Sequence, residues 1–219
     1  MAPTAPASSR PAIMVDFDGT ITQRDTLELL VDRFGDPQVR RTVEAELGVT
    51  LTLEEAIARQ YGTLSESLEE VSAWLVGHSE LRPGFHDLVG LAEQRAWPLW
   101  IVSSGLRELI EPLLAREGLS HLALVANSLV VAPPPWIVGF TREQPCEVCG
   151  EACKRRTVGQ LAAGSPVIYV GDGYSDGCAA AAADRVFARR RLTTYLEERG
   201  LEFEPFEDFT QIVERLSED

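Results

Sequence analysis

The sequence predicts an α/β protein, a doubly wound and mostly parallel sheet with a small all-α domain inserted near its start. Three observations carry that expectation. From residue 84 onward, short apolar runs alternate with amphipathic helical patterns, as strand-helix-strand crossovers require. Residues 24–83 show helical periodicity and no strand pattern. Three of the apolar runs end in carboxylates or in serine and glycine, and in open sheets of this kind ligands bind beyond the carboxyl ends of the strands.

Residues 1–10 are rich in Ala, Pro and Ser, offer nothing to pack, and are read as a disordered tail. The core is expected over 11–23 and 84–219, with Ile13-Met14-Val15 as its first strand, and the helical insertion over 24–83. Leu27, Leu30, Val31 and Phe34 fall at i, i+3, i+4 and i+7, a helix that Gly35-Asp36-Pro37 stops. A second helix begins at Thr52, whose spacing to Glu55 is that of a capping box, and turns Leu53, Ala56, Ile57 and Tyr61 to one face. A third carries Leu64, Leu68, Val71 and Leu75.

After Arg82-Pro83-Gly84 come a helix marked by Phe85, Leu88, Val89 and Ala92 and a buried strand at 98–102. The next helix carries Leu106, Leu109, Ile110, Leu113 and Leu114 and closes near Gly118. Strands are expected at 122–125 and 128–131, the latter paired as a hairpin with 136–140. A helix from about Ala152, a strand at 167–170, a helix over 179–183 and a short strand at 186–188 follow. Phe209, Ile212, Val213 and Leu216 form a closing amphipathic helix.

Composition bounds the partners. A chain of 219 residues with 45% hydrophobic content can bury one substantial core and still carry a small accessory domain. A formal net charge of −14 argues against nucleic acid or an anionic membrane, since both need a basic face. No apolar run approaches the roughly 18 residues of a membrane span, and the first ten residues have no apolar h-region, so a cytoplasmic protein is expected. Four cysteines are too few for a disulfide scaffold at this length, which fits a reducing compartment.

The polar residues after the strands carry the chemistry. Asp16 and Asp18 sit two apart, so at a strand end their side chains point to one side, and Gly19 lets the backbone turn away at once. One carboxylate could attack as a nucleophile or hold a metal while the other handles a proton; a solvated turn is the alternative. Ser103-Ser104-Gly105 ends a second strand, and Gly171-Asp172-Gly173-Tyr174-Ser175-Asp176 a third, with Lys154 upstream at a helix start. Singly, each has an ordinary reading as a cap, a turn or an exposed charge. Together, in order and at the strand ends of one sheet, they are hard to explain as coincidence.

Asp16-x-Asp18-Gly19-Thr20, Val102-Ser103-Ser104-Gly105, Lys154 and Gly171-Asp172-Gly173-x-x-Asp176 resemble the four-motif signature of the haloacid dehalogenase superfamily of phosphatases. The resemblance spans nearly the whole chain and implies a Rossmann-like core. The helical stretch is similar in position to the small cap of the phosphoserine-phosphatase-like branch. It implies a Mg²⁺-dependent phosphatase for a small phosphorylated metabolite, a homodimer being compatible with it. Asp16 would be the nucleophile forming an aspartyl-phosphate, and Asp18 the acid and then the base. Asp16, the Asp18 backbone carbonyl and Asp172 would hold the metal, with Asp176 orienting a metal-bound water or a ligand. Ser103, backbone N–H groups near Ser104 and Gly105, and Lys154 would receive the phosphoryl group.

For the substrate, Asp25 matches the acidic position that meets the amine of phosphoserine, while Arg59 lies one residue from where a carboxylate-binding arginine is expected. The run Cys146-x-x-Cys149-x-x-x-Cys153 just before Lys154, with Cys178 after the last motif, is similar to two other groups in the branch. One acts on 2-hydroxy-3-keto-5-methylthiopentenyl-1-phosphate in methionine salvage, which is the leading expectation, and the other on phosphoethanolamine and phosphocholine. The cysteine spacing also supports Zn²⁺, a redox pair, or simple packing of reduced thiols. A phosphotransferase with an acceptor other than water, and an inactive phospho-ligand binder, are the remaining alternatives.

Overall fold

The computed structural model describes residues 10–131, 134–141 and 145–218. Apart from Arg10, the expected tail lies outside them. Seven strands form one sheet in the order β4-β3-β2-β1-β5-β6-β7. They are β1 (Ala12–Val15), β2 (Leu99–Leu106), β3 (Ala123–Val131), β4 (Ile137–Gly139), β5 (Val167–Gly171), β6 (Arg185–Ala188) and β7 (Glu204–Pro205). Every pairing is parallel except β3 with β4, the expected hairpin, in which Ser128 faces Gly139. β1 sits centrally between β2 and β5, with Val15 opposite Ile101 and Val170. Its four residues are buried on both faces, which is why the run reads as continuously apolar.

Four helices separate β1 from the next core element: α1 (Thr26–Phe34), α2 (Pro37–Glu46), α3 (Leu53–Tyr61) and α4 (Leu68–His78). Each has a side-chain cap. Asp25 accepts from the Glu28 N–H at 3.1 Å and Asp36 from that of Gln38 at 2.8 Å; Thr52 and Glu55 form the expected capping box, and Ser67 accepts from Glu70 at 3.2 Å. The apolar periodicity missed α2, because Pro37 reads as a stop and the helix buries only Val43. Pro37 instead occupies its first turn, where a missing N–H costs nothing. Leu64 precedes α4 rather than belonging to it.

The remaining helices are α5 (Phe85–Arg95), α6 (Arg107–Arg116), α7 (Arg155–Ala162), α8 (Gly177–Ala180), α9 (Arg190–Glu197) and α10 (Phe209–Ser217). One large apolar cluster covers one face of the sheet and runs on into the inserted helices, joining Phe85, Leu109 and Phe209 with Leu30, Tyr61, Val71 and Leu75. A second cluster, with Val158, Leu192 and Leu196, covers the other face. Full burial of each such side chain contributes about 1.5–3 kcal/mol. Phe85 and Phe209, with ring centroids 5.1 Å apart, lock α5 to α10.

Several expectations are corrected. The runs at 122–125 and 128–131 are one strand, since Ala126 and Asn127 continue the same extended backbone and are buried within it. β2 extends through Ser103, Ser104 and Gly105 to Leu106, with an irregularity in its pairing to β3 between Val102 and Leu106. α7 starts three residues later than expected, leaving Lys154 as its N-terminal cap residue. α9 and β7 were not anticipated. No helix among the described residues is long and apolar enough to cross a membrane.

Candidate active site

The site lies beyond the carboxyl ends of β1 and β5. The first carboxylate follows β1 directly, where the Asp16 N–H bonds the Val170 carbonyl at 2.9 Å and continues the ladder. A tight turn over Phe17–Ile21 then sends the chain away. Gly19 makes that turn with φ +75°, and a Cβ there would fall 2.5 Å from Asp172 Oδ2. Only glycine allows the turn and the close approach of Asp172 together.

Arg82 fixes this loop. Its buried guanidinium donates to the carbonyls of Gly19, Thr20, Thr22 and Gln23 at 2.8–3.2 Å. Burial lowers its pKa to about 10, with neighbouring Arg189 adding to the effect. Sequence reasoning missed Arg82, reading Arg82-Pro83-Gly84 only as a break. The one available signal was a charged residue at the return from the helices to the sheet.

At the centre stands Lys154, fully buried, donating to Asp16 Oδ1 and, at 2.7 Å, to Asp176 Oδ1. Burial alone would lower the lysine pKa, but Asp16 and Asp176 outweigh it and the net shift is upward. Asp176 is saturated by protein donors. Tyr169 Oη reaches its Oδ1 at 2.8 Å, and the N–H groups of Asp172 and Gly173 reach Oδ2 at 3.0 and 2.9 Å. A carboxylate so engaged is built to orient its neighbours. Tyr169 carried no sequence signal beyond its place in an apolar strand.

Asp16, Asp172 and Asp176 each offer an oxygen within 4.8 Å of the others. Burial first, and then the facing carboxylates, raise Asp16 well above the usual range and Asp172 to about 6. Thr20 donates to Asp172 Oδ1 at 3.1 Å, and Arg190 lies 3.7 Å from Asp172 Oδ2. Buried carboxylates crowded around one point, opposed by a single buried ammonium, fit a hard divalent cation with oxygen ligands.

Asp18 accepts from Thr26 Oγ1 on one oxygen and from Ser103 Oγ, at 3.1 Å, on the other. The Ser103 hydroxyl also accepts the Gly105 N–H at 2.8 Å. The Ser103 hydroxyl therefore faces Asp18 across the site. Ser104 Oγ is buried and unpartnered beside the cavity, while its carbonyl accepts from Asn127 Nδ2 at 2.8 Å.

The carboxylates open into a cavity of about 180 Å³. Leu27, Val43, Leu47, Leu53 and Ile57 form its apolar side, and Asp25, Glu28 and Glu44 its acidic side. Arg190 and Arg191, at the start of α9, also line it; no basic side chain from α1–α4 does among the described residues. Asp25 is at the site, where burial and then Asp18 raise it to about 8. Arg59 is not: it lies 3.8 Å from Glu46 on an outward face, and one residue of helix is enough to turn it there.

The cysteines form a second group, close to Lys154 in sequence but apart from the carboxylates. Their four Sγ atoms lie within 4.8 Å of one another. Burial raises the thiols of Cys153 and Cys178, the latter to about 11. At Cys146 burial is outweighed by the backbone N–H groups of Cys149 and Val148, and the thiol is lowered to about 6.

The family model for haloacid dehalogenase-like hydrolases matches residues 13–181. A 2-hydroxy-3-keto-5-methylthiopentenyl-1-phosphate phosphatase of Bacillus velezensis is 29% identical over 95% of this chain and 92% of its own length. One of the same name from Bacillus cereus is 26% identical over 93% and 94%. Among solved structures, a substrate-bound phosphoserine phosphatase complex superposes with a TM-score of 0.74 at 17% identity, covering 95% of this chain and 99% of that one. A phospho-aspartyl intermediate analogue of phosphoserine phosphatase gives 0.73 at 18%, covering 94% and 99%. These two share the fold.

Proposed function

The chain belongs to the haloacid dehalogenase-like hydrolases and is a phosphatase of that family; from that premise we propose that it hydrolyses a small phosphomonoester through an aspartyl-phosphate on Asp16. The observation that carries this reading is the buried Lys154 held between Asp16 and Asp176 at the ends of β1 and β5, with Asp18 and Asp172 alongside. An anionic nucleophile meets an anionic ester only where positive charge neutralises both.

In the proposed reaction Asp16 attacks phosphorus while Asp18 gives its proton to the departing alkoxide. Asp18 then takes a proton from the water that opens the acyl phosphate. Lys154 offsets charge on Asp16 and the phosphoryl oxygens, and Ser103 Oγ with backbone N–H groups near Ser104 and Gly105 would receive one of those oxygens. Ser103 orients Asp18, and Asp176 orients Lys154 and the Asp172 backbone. Mg²⁺, when bound, would be held by Asp16, Asp172 and the Asp18 carbonyl and would supply charge neutralisation at the phosphoryl group. The helices of 24–83 act in this reading as a cap that encloses the ester.

For the substrate we favour 2-hydroxy-3-keto-5-methylthiopentenyl-1-phosphate. The names of the relatives support it, and so does the apolar wall of Leu27, Val43, Leu47, Leu53 and Ile57, which suits an unbranched thioether tail. A second reading is an amine-bearing ester such as phosphoethanolamine, favoured by Asp25, Glu28 and Glu44 in the same cavity lining. Phosphoserine is less well served, since Arg59 faces away. A cytoplasmic location and a homodimer belong to the same proposal. Zinc at the cysteine tetrad is a separate reading with its own test.

Phosphate release from these esters with and without Mg²⁺, in wild type and Asp16→Asn, tests the proposal. Turnover that requires both Mg²⁺ and Asp16 is expected, fastest on the enol phosphate. Release undiminished in Asp16→Asn would refute the mechanism, and preference for phosphoethanolamine would select the second reading.

A further inference from the structure

Cys146, Cys149 and Cys153 come from the loop before α7 and Cys178 from α8, two segments joined here through sulfur. Cys146 Sγ lies 3.9 Å from Cys178 Sγ, and all four thiols are free. A tetrahedral ion with metal–sulfur bonds of about 2.3 Å has sulfur–sulfur edges of about 3.8 Å, whereas a disulfide needs about 2.05 Å. The Cys146–Cys178 pair thus stands at the separation of two ligands on one ion, and the other sulfurs lie within 4.8 Å, close enough to join them.

The loop is shaped for this. The Gly150 N–H donates to the Cys146 carbonyl and the Cys146 N–H to the Glu151 carbonyl, both at 2.8 Å, and Gly150 takes φ +73°. The chain is thereby folded back so that Cys146 and Cys149 face one point, and the N–H groups of Val148 and Cys149 turn toward the Cys146 sulfur.

We infer that the chain holds one structural Zn²⁺ on Cys146, Cys149, Cys153 and Cys178. Thiolates select a borderline-soft ion over the hard Mg²⁺ of the carboxylate site. With every position filled by protein, the site is closed and structural rather than catalytic. Binding releases up to four thiol protons and leaves a complex of net charge −2. Cys149, Cys153 and Cys178 line a cavity that gives the ion a path in. The ion would tie the residue before Lys154 to the helix that follows Asp176. Glu151 of the same loop accepts the Leu53 N–H at 2.8 Å, so α3 is docked to it as well.

The test is metal content of the full chain purified without chelator. About one zinc per chain is expected, kept in Asp172→Asn and largely lost in Cys149→Ser. Exchange with Co²⁺ should give thiolate-to-cobalt charge transfer and the absorption of a tetrahedral ion. Should Cys149→Ser fail to fold, wild type serves: a chelator titration should free four thiols to a thiol reagent and lower Tm together. Absence of zinc both as purified and after Zn²⁺ addition to the reduced chain would overturn the inference. So would two disulfides, iron in place of zinc, or zinc lost in Asp172→Asn but kept in Cys149→Ser. None of these readouts uses turnover, so the phosphatase reading and the zinc site can fail independently.

Discussion

Replacing Lys154 by Met removes the buried charge around which the carboxylates are arranged and keeps a stem of similar length. The ammonium is fully buried and bonded to Asp16 and Asp176, so its loss leaves carboxylates in a dry site without a counter-charge. Removing one partner of such a pair costs about 3–5 kcal/mol, and at about 2–4 °C per kcal/mol for a chain of this size Tm should fall on the order of 10 °C. The pH dependence is specific. Lys154 is raised in the fold, so its contribution is complete below the ordinary lysine value, near pH 10, and is in full force at pH 7.5. In Lys154→Met part of the deficit comes from ionised Asp172, already raised to about 6 and raised further once Lys154 no longer opposes it. Lowering the pH to 5 protonates Asp172 and removes that part, so the deficit at pH 5 should be smaller than at pH 7.5. Thermal unfolding by circular dichroism without Mg²⁺ at pH 7.5 and 5 measures both values. Equal losses at the two pH values, or a Tm within 1–2 °C of wild type at pH 7.5, would refute the reasoning.

Gly19→Ala should cost about 1–2 kcal/mol for a side chain at positive φ and, by pushing Asp172 aside, weaken Mg²⁺ binding about tenfold, about 1.4 kcal/mol; calorimetric titration with Mg²⁺ reads it. Arg59→Ala should leave KM within about twofold for every ester and move Tm by less than about 2–4 °C, since an exposed pair contributes at most about 1 kcal/mol. Asp25, raised to about 8, makes metal-free stability fall as pH rises from about 4 toward 8. Asp25→Asn can still accept the Glu28 N–H and should raise Tm clearly more at pH 8 than at pH 5, as differential scanning fluorimetry would show.

Much of the architecture was legible because it is written locally. Periodicity located α1, α3, α5, α6 and α10, and the Thr52–Glu55 capping box is formed as read. Where local chemistry has two meanings the reading failed: Pro37 stops one helix but also starts α2, and the polar Asn127 looked like a break although it continues β3 as a buried residue that bonds Ser104. The strand-end carboxylates were legible for the same local reason, an apolar run that stops at Asp16 or Asp172.

The sequence by itself determined which residue types stand at the ends of the strands, because alternation, caps and turns depend only on near neighbours. The tertiary structure decided what those residues do to one another. Lys154 and Asp16 are 138 positions apart and meet because β1 lies beside β5. The return from the inserted helices places the Arg82 guanidinium under the Gly19 loop, Tyr169 reaches Asp176 from within its strand, and α8 carries Cys178 to the other three thiols. Arg59 turns outward on a helix whose inner face is taken by Ala56, Ile57 and Tyr61. Burial, like-charge crowding and hydrogen-bond saturation are properties of the assembled neighbourhood, and they act on Asp16, Asp172 and Lys154 only once the fold brings these groups together.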